Sequence, residues 1–212
     1  MATEIFTVPI FPLPNLVFFP ETILPLHVFE PRYKAMIADV LAGDRQLGIV
    51  QLRPGWDKDY YGNPPVYKYL TVGEVIKHRQ LEDGRYDILV RGRRRARIRG
   101  ETLRGLYRVA EVETLQEYLP EEKVEEAAED FLRLRRLFAQ VVKALPEAFA
   151  DLKPESWEEP SPGVVADLLA NTFMDSAYDK QSILSELDVA RRLRLVAIHM
   201  RPPVQPKGSR PA

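Results

Sequence analysis

Apolar residues in the first half of the chain come in short runs that are separated by prolines and charged residues. Runs of this kind are typical of edge strands and bends, because proline cannot donate a hydrogen bond to a strand ladder. The Asp83-Gly84 pair lies between the last two runs and favours a tight hairpin turn. The pattern therefore predicts strands or bends over Ile10–Leu13, Val17–Phe19, Ile23–Val28, Gln46–Leu52, Thr71–His78 and Tyr86–Val90.

Apolar residues recur at helical spacing in one segment of the first half and throughout the second half. The first such segment begins at Glu30-Pro31, and proline suits the first helical position because the amide it lacks has no partner there. A long helix is predicted after Pro120. A short helix follows from Ser161-Pro162, and a last helix is predicted from Asp179 to Met200. These elements together predict an α+β fold.

The change from strand to helical periodicity falls near Pro120, which indicates two subdomains. We expect residues 1–118 to form a strand-rich subdomain with one helix, and residues 119–200 to form a mostly helical subdomain. Residues 201–212 contain four prolines and show no periodicity. We therefore expect them to form a disordered tail.

A long segment between two predicted strands, residues 53–69, combines prolines and glycines with Trp56, Tyr60, Tyr61, Tyr67 and Tyr69. Loops of this length in a compact domain are typically functional or disordered, and the aromatic content argues against disorder. Two interpretations stay equally open. The aromatic side chains are buried beneath the connector that contains Trp157, or they form a peptide-binding surface.

Composition removes several functional classes. The chain has no cysteine, which excludes disulfides, thiolate metal sites and cysteine nucleophiles. Lys and Arg number 30 against 31 Asp and Glu, so no global field attracts nucleic acid or an anionic membrane. No apolar run approaches the roughly 20 residues that span a bilayer, and the first residues lack the basic start of a signal peptide. We therefore expect a cytoplasmic protein without a cofactor or a metal.

Histidine and arginine offer the remaining candidate chemistry. The three histidines lie far apart in the sequence and lack metal-ligand spacing, and we expect His27 to be a structural residue bonded to the backbone. Six arginines crowd the segment Arg91–Arg99, for which a phosphate-binding stripe and a charged edge strand are alternatives. The structural alternative is favoured, because acids nearly cancel these charges and no aromatic residue interleaves with the arginines.

Three stretches carry a recognisable pattern. The first runs through Ile10-Phe11-Pro12-Leu13, Val17, Phe19-Pro20, Pro25-Leu26, Val28-Phe29-Glu30 and Arg32-Tyr33. The second runs through Val72-Gly73-Glu74-Val75-Ile76, Asp83-Gly84, Ile88 to Val90 and Gly92-Arg93-Arg94-Arg95-Ala96-Arg97-Ile98. The third is Tyr107 with Ala110 and Val112. Together they resemble the PUA-like family of Lon protease N-terminal domains.

The resemblance implies a distorted, six-stranded PUA-like β-barrel followed by a helical bundle, and a role in recognising polypeptide substrates. Arg95 matches the arginine of the family's Gly-x-x-Arg strand, so we expect it to make a structural ion pair. Glu30, Arg32 and Tyr33 match the start of the family's helix. For these three residues we favour capping and packing over ligand contact.

The sequence contains no G-x-x-x-x-G-K-[ST] segment that could hold ATP phosphates, and none of its six serines resembles the Lon peptidase nucleophile. We therefore expect a free-standing, non-catalytic module that binds a polypeptide or a partner protein in a groove between barrel and helices. The alternative is an RNA-binding module that uses the strand Arg91–Arg99. The substrate-binding residues expected for the favoured function are Phe19, Pro25, Trp56, Tyr60 and Tyr61.

Overall fold

Strands fill the first half of the described chain and helices fill the second half. The structure, a computed structural model, describes residues 3–144 and 160–200. Its strands are β1 Ile5–Leu13, β2 Ile23–Val28, β3 Gln46–Gln51, β4 Tyr69–Gln80, β5 Tyr86–Arg104 and β6 Tyr107–Thr114. Its α-helices are α1 Pro31–Ala42, α2 Val124–Ala144, α3 Pro162–Phe173, α4 Ala177–Ser185 and α5 Val189–His199. The predicted α+β class is confirmed.

The six strands form one sheet that closes on itself. Their order is β2-β5-β4-β3-β1-β6, and β6 also pairs with β5. Closure depends on the length of β5, because its first part, Tyr86–Arg91, pairs with β2 and its last part, Ala96–Arg104, pairs with β6. The pair β1 and β3 is parallel, and the other pairs are antiparallel. Among these strands β2 pairs on one side alone, so its outer edge is open.

The segment Val17–Phe19, for which the pattern allowed a strand or a bend, does not form a strand. Its side chains do alternate, because Phe18 enters the core inside the sheet whereas Val17 and Phe19 enter the core of the helices. The backbone of this segment, however, makes individual hydrogen bonds and no strand ladder. The Thr71 hydroxyl donates to the carbonyl oxygen of Phe18 at 2.5 Å.

The last predicted helix is interrupted and forms two helices, α4 and α5. Asp188 lies at the break and caps α5, since its carboxylate accepts a hydrogen bond from the amide of Arg191 at 3.1 Å. The chain at the break also bonds to Tyr118, whose amide donates to the carbonyl oxygen of Leu187 at 3.0 Å. An aspartate that competes for helix amides ends one helix and begins another.

Three clusters of buried apolar side chains hold these elements together. One consists of buried residues from the strands alone. A second lies between the sheet and α1, and it includes Met36, Ile37 and Leu47. The third lies among the helices, where Leu134, Leu169 and Leu193 pack together with Val17 and Phe19 from the first half. The two halves of the chain therefore share a core. None of the helices within residues 3–144 and 160–200 has the length and apolar character required to cross a membrane.

A buried ionic cluster joins the sheet to the helices. Arg95 of β5 donates to Asp167 of α3 at 2.5 Å, and the two side chains are 5% and 2% exposed. Arg192 of α5 is fully buried, donates to Glu117 and lies 3.6 Å from the Asp167 carboxylate. Burial disfavours its charge, yet Asp167 and Glu117 hold the pKa of Arg192 above its usual value. The ion pair predicted for Arg95 is observed.

Gly92 allows the chain to pass closely beneath Phe19 on the way to this cluster. A Cβ atom at position 92 would collide with the backbone carbonyl of Phe19, a group that cannot swing away as a side-chain tip can. Gly100 lies in the same strand, and a Cβ atom there would meet no other atom within 4 Å. Glycine is therefore required at position 92, the first position of the Gly-x-x-Arg pattern, because the backbones of β5 and Phe19 approach each other closely there.

We predict that Gly92→Ala destabilises the protein by about 1–3 kcal/mol, because the added methyl forces the backbones of β5 and Phe19 apart. Gly100→Ala is the matched control and should change the free energy of unfolding far less. Urea unfolding followed by circular dichroism measures both variants. Equal stabilities for the two variants would show that this close approach does not restrict position 92.

Candidate functional site

The long loop between β3 and β4 is held in place by its own backbone and by its neighbours. The amide of Arg53 donates to the carbonyl of Pro65 at 2.8 Å, and the amide of Tyr67 donates to the carbonyl of Gln51 at 3.0 Å. Arg108 of β6 donates to the carbonyl of Pro64 at 2.8 Å. The base of the loop is therefore held both by the end of β3 and by β6.

The middle of the loop is held at the start of α1 by Glu30, Arg32 and Tyr60. The Tyr60 hydroxyl donates to one Glu30 oxygen at 2.7 Å, and the Arg32 Nε donates to the other at 3.0 Å. The Arg32 guanidinium lies 4.7 Å from the Tyr33 ring centre and 5.3 Å from that of Tyr60. These contacts form a clamp in which one carboxylate and one cation fix an aromatic residue.

The clamp corrects the prediction that Glu30 caps the helix. Glu30 occupies the N-cap position, but its side chain makes no hydrogen bond to a helix amide. Its two oxygens are already used by Arg32 and Tyr60. Glu30 and Arg32 therefore fix the loop between β3 and β4, which follows them in the chain after α1 and β3. Their local sequence did not indicate this role.

The tyrosine hydroxyls at the clamp remain protonated at neutral pH. Burial raises the pKa of Tyr60, and its hydrogen bond to Glu30 raises that pKa further. Burial likewise raises the pKa of Tyr33 to about 12. Tyr60 therefore stays a donor to Glu30 throughout the neutral range.

The clamp presents neighbouring aromatic side chains at the surface. The Trp56 ring centre lies 5.6 Å from that of Tyr60, and the Tyr60 ring centre lies 5.3 Å from that of Tyr61, both with edge-on geometry. Trp56 and Tyr60 are half-buried, whereas Tyr61 is 88% exposed. Leu106, 65% exposed, borders the same small cleft as Tyr60. We call Trp56, Tyr60, Tyr61 and Leu106 the aromatic ledge.

The cleft beside the ledge is too small to enclose a ligand. Its volume is about 20 Å³, which is close to the space that one water molecule requires. A partner can therefore contact the ledge from outside but cannot be enclosed by it. Leu106 and Arg108, which complete this region, were not expected from the sequence. They carry no distinguishing local pattern and reach the loop because β6 closes the sheet.

The structure does not bring all five predicted site residues together. Phe19 is fully buried in the helical core, so its side chain does not reach the surface in this structure. Pro25 is exposed on β2 and borders a separate hollow. Trp56, Tyr60 and Tyr61 are adjacent to one another, as described above. Trp157, the proposed cover of the loop, lies outside the described residues.

A cleft also lies between the sheet and the helices, where the sequence predicted a binding groove. Its volume is about 460 Å³, and Arg95 and Asp167 of the buried ionic cluster border it. Arg93, Arg94 and Glu21 also line it, and none of the five predicted site residues does. This cleft is therefore ionic, and it is distinct from the aromatic ledge.

Each of the six arginines within Arg91–Arg99 is paired with a carboxylate. The partners lie on several elements, which an alternation pattern within β5 could not reveal. The pairs are Arg91 with Glu21, Arg93 with Glu74, Arg94 with Glu4, Arg95 with Asp167, and both Arg97 and Arg99 with Glu113. The positive stripe expected from the sequence is thus largely neutralised.

His27 differs from its expected role, because it bonds to side chains at the surface. Its Nδ1 lies 2.7 Å from Asp87, and its Nε2 lies 3.1 Å from Arg85. The side chain is about half exposed, which contradicts a structural histidine bonded to the backbone. Within the described part of the chain, no group of three or more His, Cys, Asp or Glu residues is placed to hold a metal ion.

Comparison with known proteins identifies related sequences. Residues 7–201 match the family described as the ATP-dependent protease La (LON) substrate-binding domain. Lon protease 2 of Myxococcus xanthus is 30% identical over 188 residues, and Lon protease 2 of Sorangium cellulosum is 32% identical over 195 residues. These alignments cover 89% and 90% of this chain but 22% and 24% of the relatives. The chain therefore spans less than a quarter of the length of these curated relatives.

Two solved structures share the fold. The N-terminal domain of the Mycobacterium avium complex Lon protease has a TM-score of 0.67 at 19% identity, covering 92% of this chain and 97% of that one. A Lon N-terminal domain protein from Xanthomonas campestris has a TM-score of 0.63 at 23% identity, covering 93% of this chain and 99% of that one. At these identities the likeness establishes the fold alone.

We predict that Tyr60→Phe loosens the loop, because it removes the hydroxyl that donates to Glu30 and leaves the ring in place. The free energy of unfolding should fall by about 0.5–1.5 kcal/mol. Tryptic cleavage after Lys58 should become faster, as followed by mass spectrometry. Tyr61→Phe is the control, since the Tyr61 hydroxyl has no hydrogen-bond partner among the described residues. The same cleavage rate in both variants would show that the clamp does not hold the loop.

Proposed function

Because this chain belongs to the family of ATP-dependent protease La (LON) substrate-binding domains, we propose that it is a non-catalytic module that binds polypeptide segments. The proposed binding surface is the aromatic ledge. Trp56, Tyr60 and Tyr61 remain in the site from the sequence prediction, and Leu106 is added because it borders the same cleft as Tyr60.

One observation carries the proposal: Tyr61 is 88% exposed on a loop that is otherwise firmly anchored. A tyrosine offers a broad apolar face with little side-chain entropy to lose, and a loop that is already fixed loses little entropy on binding. The clamp of Glu30, Arg32 and Tyr60 fixes the backbone beside Tyr61 without covering its ring. This arrangement supports contact with an extended segment that lies across the surface.

The finer architecture is part of the same proposal. The closed sheet fits a PUA-like β-barrel over residues 1–118, and the shared core of α2, α3, α4 and α5 fits a helical bundle over residues 119–200. We also propose that the protein works in the cytoplasm. Its polypeptide ligands would be unfolded, extended or terminal segments, or a specific partner protein.

RNA binding through Arg91–Arg99 has weaker support. A phosphate would have to compete with a carboxylate at each of these arginines, and the pairs at Arg95 and Arg97 already place donors within 2.5–3.0 Å of acids. Phosphate contacts lose affinity steeply as salt increases, whereas an apolar surface does not. Binding of poly(U) that disappears between low and high salt, together with no binding of unfolded protein, would favour the RNA alternative.

We predict that Tyr61→Ala weakens binding to fluorescein-labelled casein by about 1–2 kcal/mol, which raises Kd roughly five- to thirtyfold. The reason is that the ring is the most exposed part of the ledge, and its removal leaves the loop anchors intact. Fluorescence anisotropy measures the affinity. The melting temperature should be unchanged, because the side chain makes few contacts with the fold.

Tyr178→Ala is the matched control for this variant. Tyr178 is a tyrosine of α4 that is 69% exposed and lies outside the ledge. It should bind casein as the wild-type protein does. An equal loss in both variants would indicate nonspecific contact with exposed aromatic residues, and no loss in either would remove the ledge as the binding surface.

We predict that the purified chain neither binds ATP nor cleaves casein. The sequence has no segment that would cradle ATP phosphates, and none of its serines lies in a peptidase-like context. Isothermal titration calorimetry tests nucleotide binding, and gel electrophoresis after prolonged incubation tests cleavage. Stoichiometric ATP binding, or proteolysis that persists at constant specific activity through successive purification steps, would contradict the non-catalytic proposal.

A further inference from the structure

The outer face of β2, β5 and β4 carries a second candidate surface. Strand pairing aligns Pro25 with Leu89 and Leu89 with Lys77, which gives a row that is apolar at one end and cationic at the other. The next row contains His27, Asp87 and Arg79. All of these residues border a hollow of about 550 Å³, within the size range of ligand sites in proteins.

The charges of this hollow are unbalanced. Both oxygens of Asp87 are engaged, one with His27 at 2.7 Å and the other with Arg79 at 2.6 Å. Lys77 is exposed and forms no hydrogen bond or ion pair with the described residues, and the same holds for His78. The hollow therefore has a free cation at its border and no free carboxylate among its lining residues.

The open edge of β2 does not favour binding by strand addition. Pro25 lies in the middle of this six-residue strand and has no amide to donate, which blunts an edge against pairing. The face of the strands is different, because Pro25 and Leu89 offer apolar area beside Lys77. A ligand that contacts this face through its side chains uses both features.

We propose that this hollow is a docking surface for an extended, acidic segment of another polypeptide, in which an apolar residue and a carboxylate stand two positions apart. Residues two positions apart in an extended chain point to the same side, so both kinds of side chain can face the sheet. Its apolar side chains would lie on Pro25 and Leu89, and its carboxylates would pair with Lys77. Among the described residues no Phe, Tyr or Trp lines the hollow for stacking of bases, so a peptide fits it better than single-stranded RNA does.

The test uses two fluorescein-labelled peptides of about ten residues, long enough to cross three strands. One repeats Leu-Ser-Glu-Ser and the other repeats Leu-Ser-Gln-Ser, so that leucine and the glutamate or glutamine point to the same side of the extended peptide. The wild-type protein should bind the glutamate peptide more tightly, and added salt should remove the difference because exposed charges are screened. Equal affinity for the two peptides at low salt would overturn the proposal.

Charge reversal at Lys77 locates the site. Lys77→Glu should weaken binding of the glutamate peptide by at least about fivefold, since an attraction becomes a repulsion. Lys77→Arg should retain the binding, and Lys77→Gln gives the intermediate case if glutamate disturbs the strand. Lys143→Glu is the control, because Lys143 is an exposed lysine of α2 without a partner among the described residues.

The outcomes separate this surface from the aromatic ledge. Loss of glutamate-peptide binding in Lys77→Glu but not in Lys143→Glu or Tyr61→Ala supports the proposal. Equal loss in Lys77→Glu and Lys143→Glu indicates attraction to overall charge and overturns it. Loss in Tyr61→Ala alone assigns the acidic peptide to the ledge, which also overturns the docking surface proposed for the hollow.

Discussion

The buried ionic cluster of Arg95, Asp167, Arg192 and Glu117 is the constraint on which the arrangement of sheet and helices depends. Its members come from β5, α3, α5 and the segment after β6, and three of them are almost completely buried. Removing one partner of a buried ion pair costs about 3–5 kcal/mol, because the remaining charge is then buried with neither an opposite charge nor water to stabilise it. These elements must therefore keep their relative positions. The apolar core that includes Phe19 is built on the same helices.

The clamp at α1 uses similar chemistry for a different purpose. Glu30 and Arg32 are about one-fifth exposed, so water screens their charges more than it screens those of the buried cluster. Such a clamp holds a loop in position with a smaller desolvation cost than a fully buried ion pair has. It also leaves the Tyr61 side chain exposed to solvent. The two groups of ion pairs thus differ in exposure: the buried ionic cluster holds the sheet and helices together, whereas the partly exposed clamp holds a surface loop.

The local density of one charge sign is a poor guide to a binding site in this protein. Six arginines in nine residues suggest a phosphate-binding stripe, yet carboxylates from β4, β6, α3 and the residue before β1 lie against them. Lys77 belongs to no such run but has no ionic partner among the described residues. Which cation remains available to a ligand depends on what the fold places beside it, and the number of cations in a segment does not decide this.

The sequence by itself determined the order and type of most elements, because strand and helix periodicities and proline positions are local properties. It located β2 to β5, the Asp83-Gly84 hairpin and α1, and its motif indicated that Arg95 would be paired. Tertiary structure decided the rest. The partner of Arg95 lies 72 residues away, that of Tyr60 lies 30 residues away, and Phe19 is buried by helices that follow it by more than a hundred residues. Periodicity reports which side of an element is apolar, but exposure and ion pairing depend on what packs against that side, and closure of the sheet and the buried ionic cluster determine this.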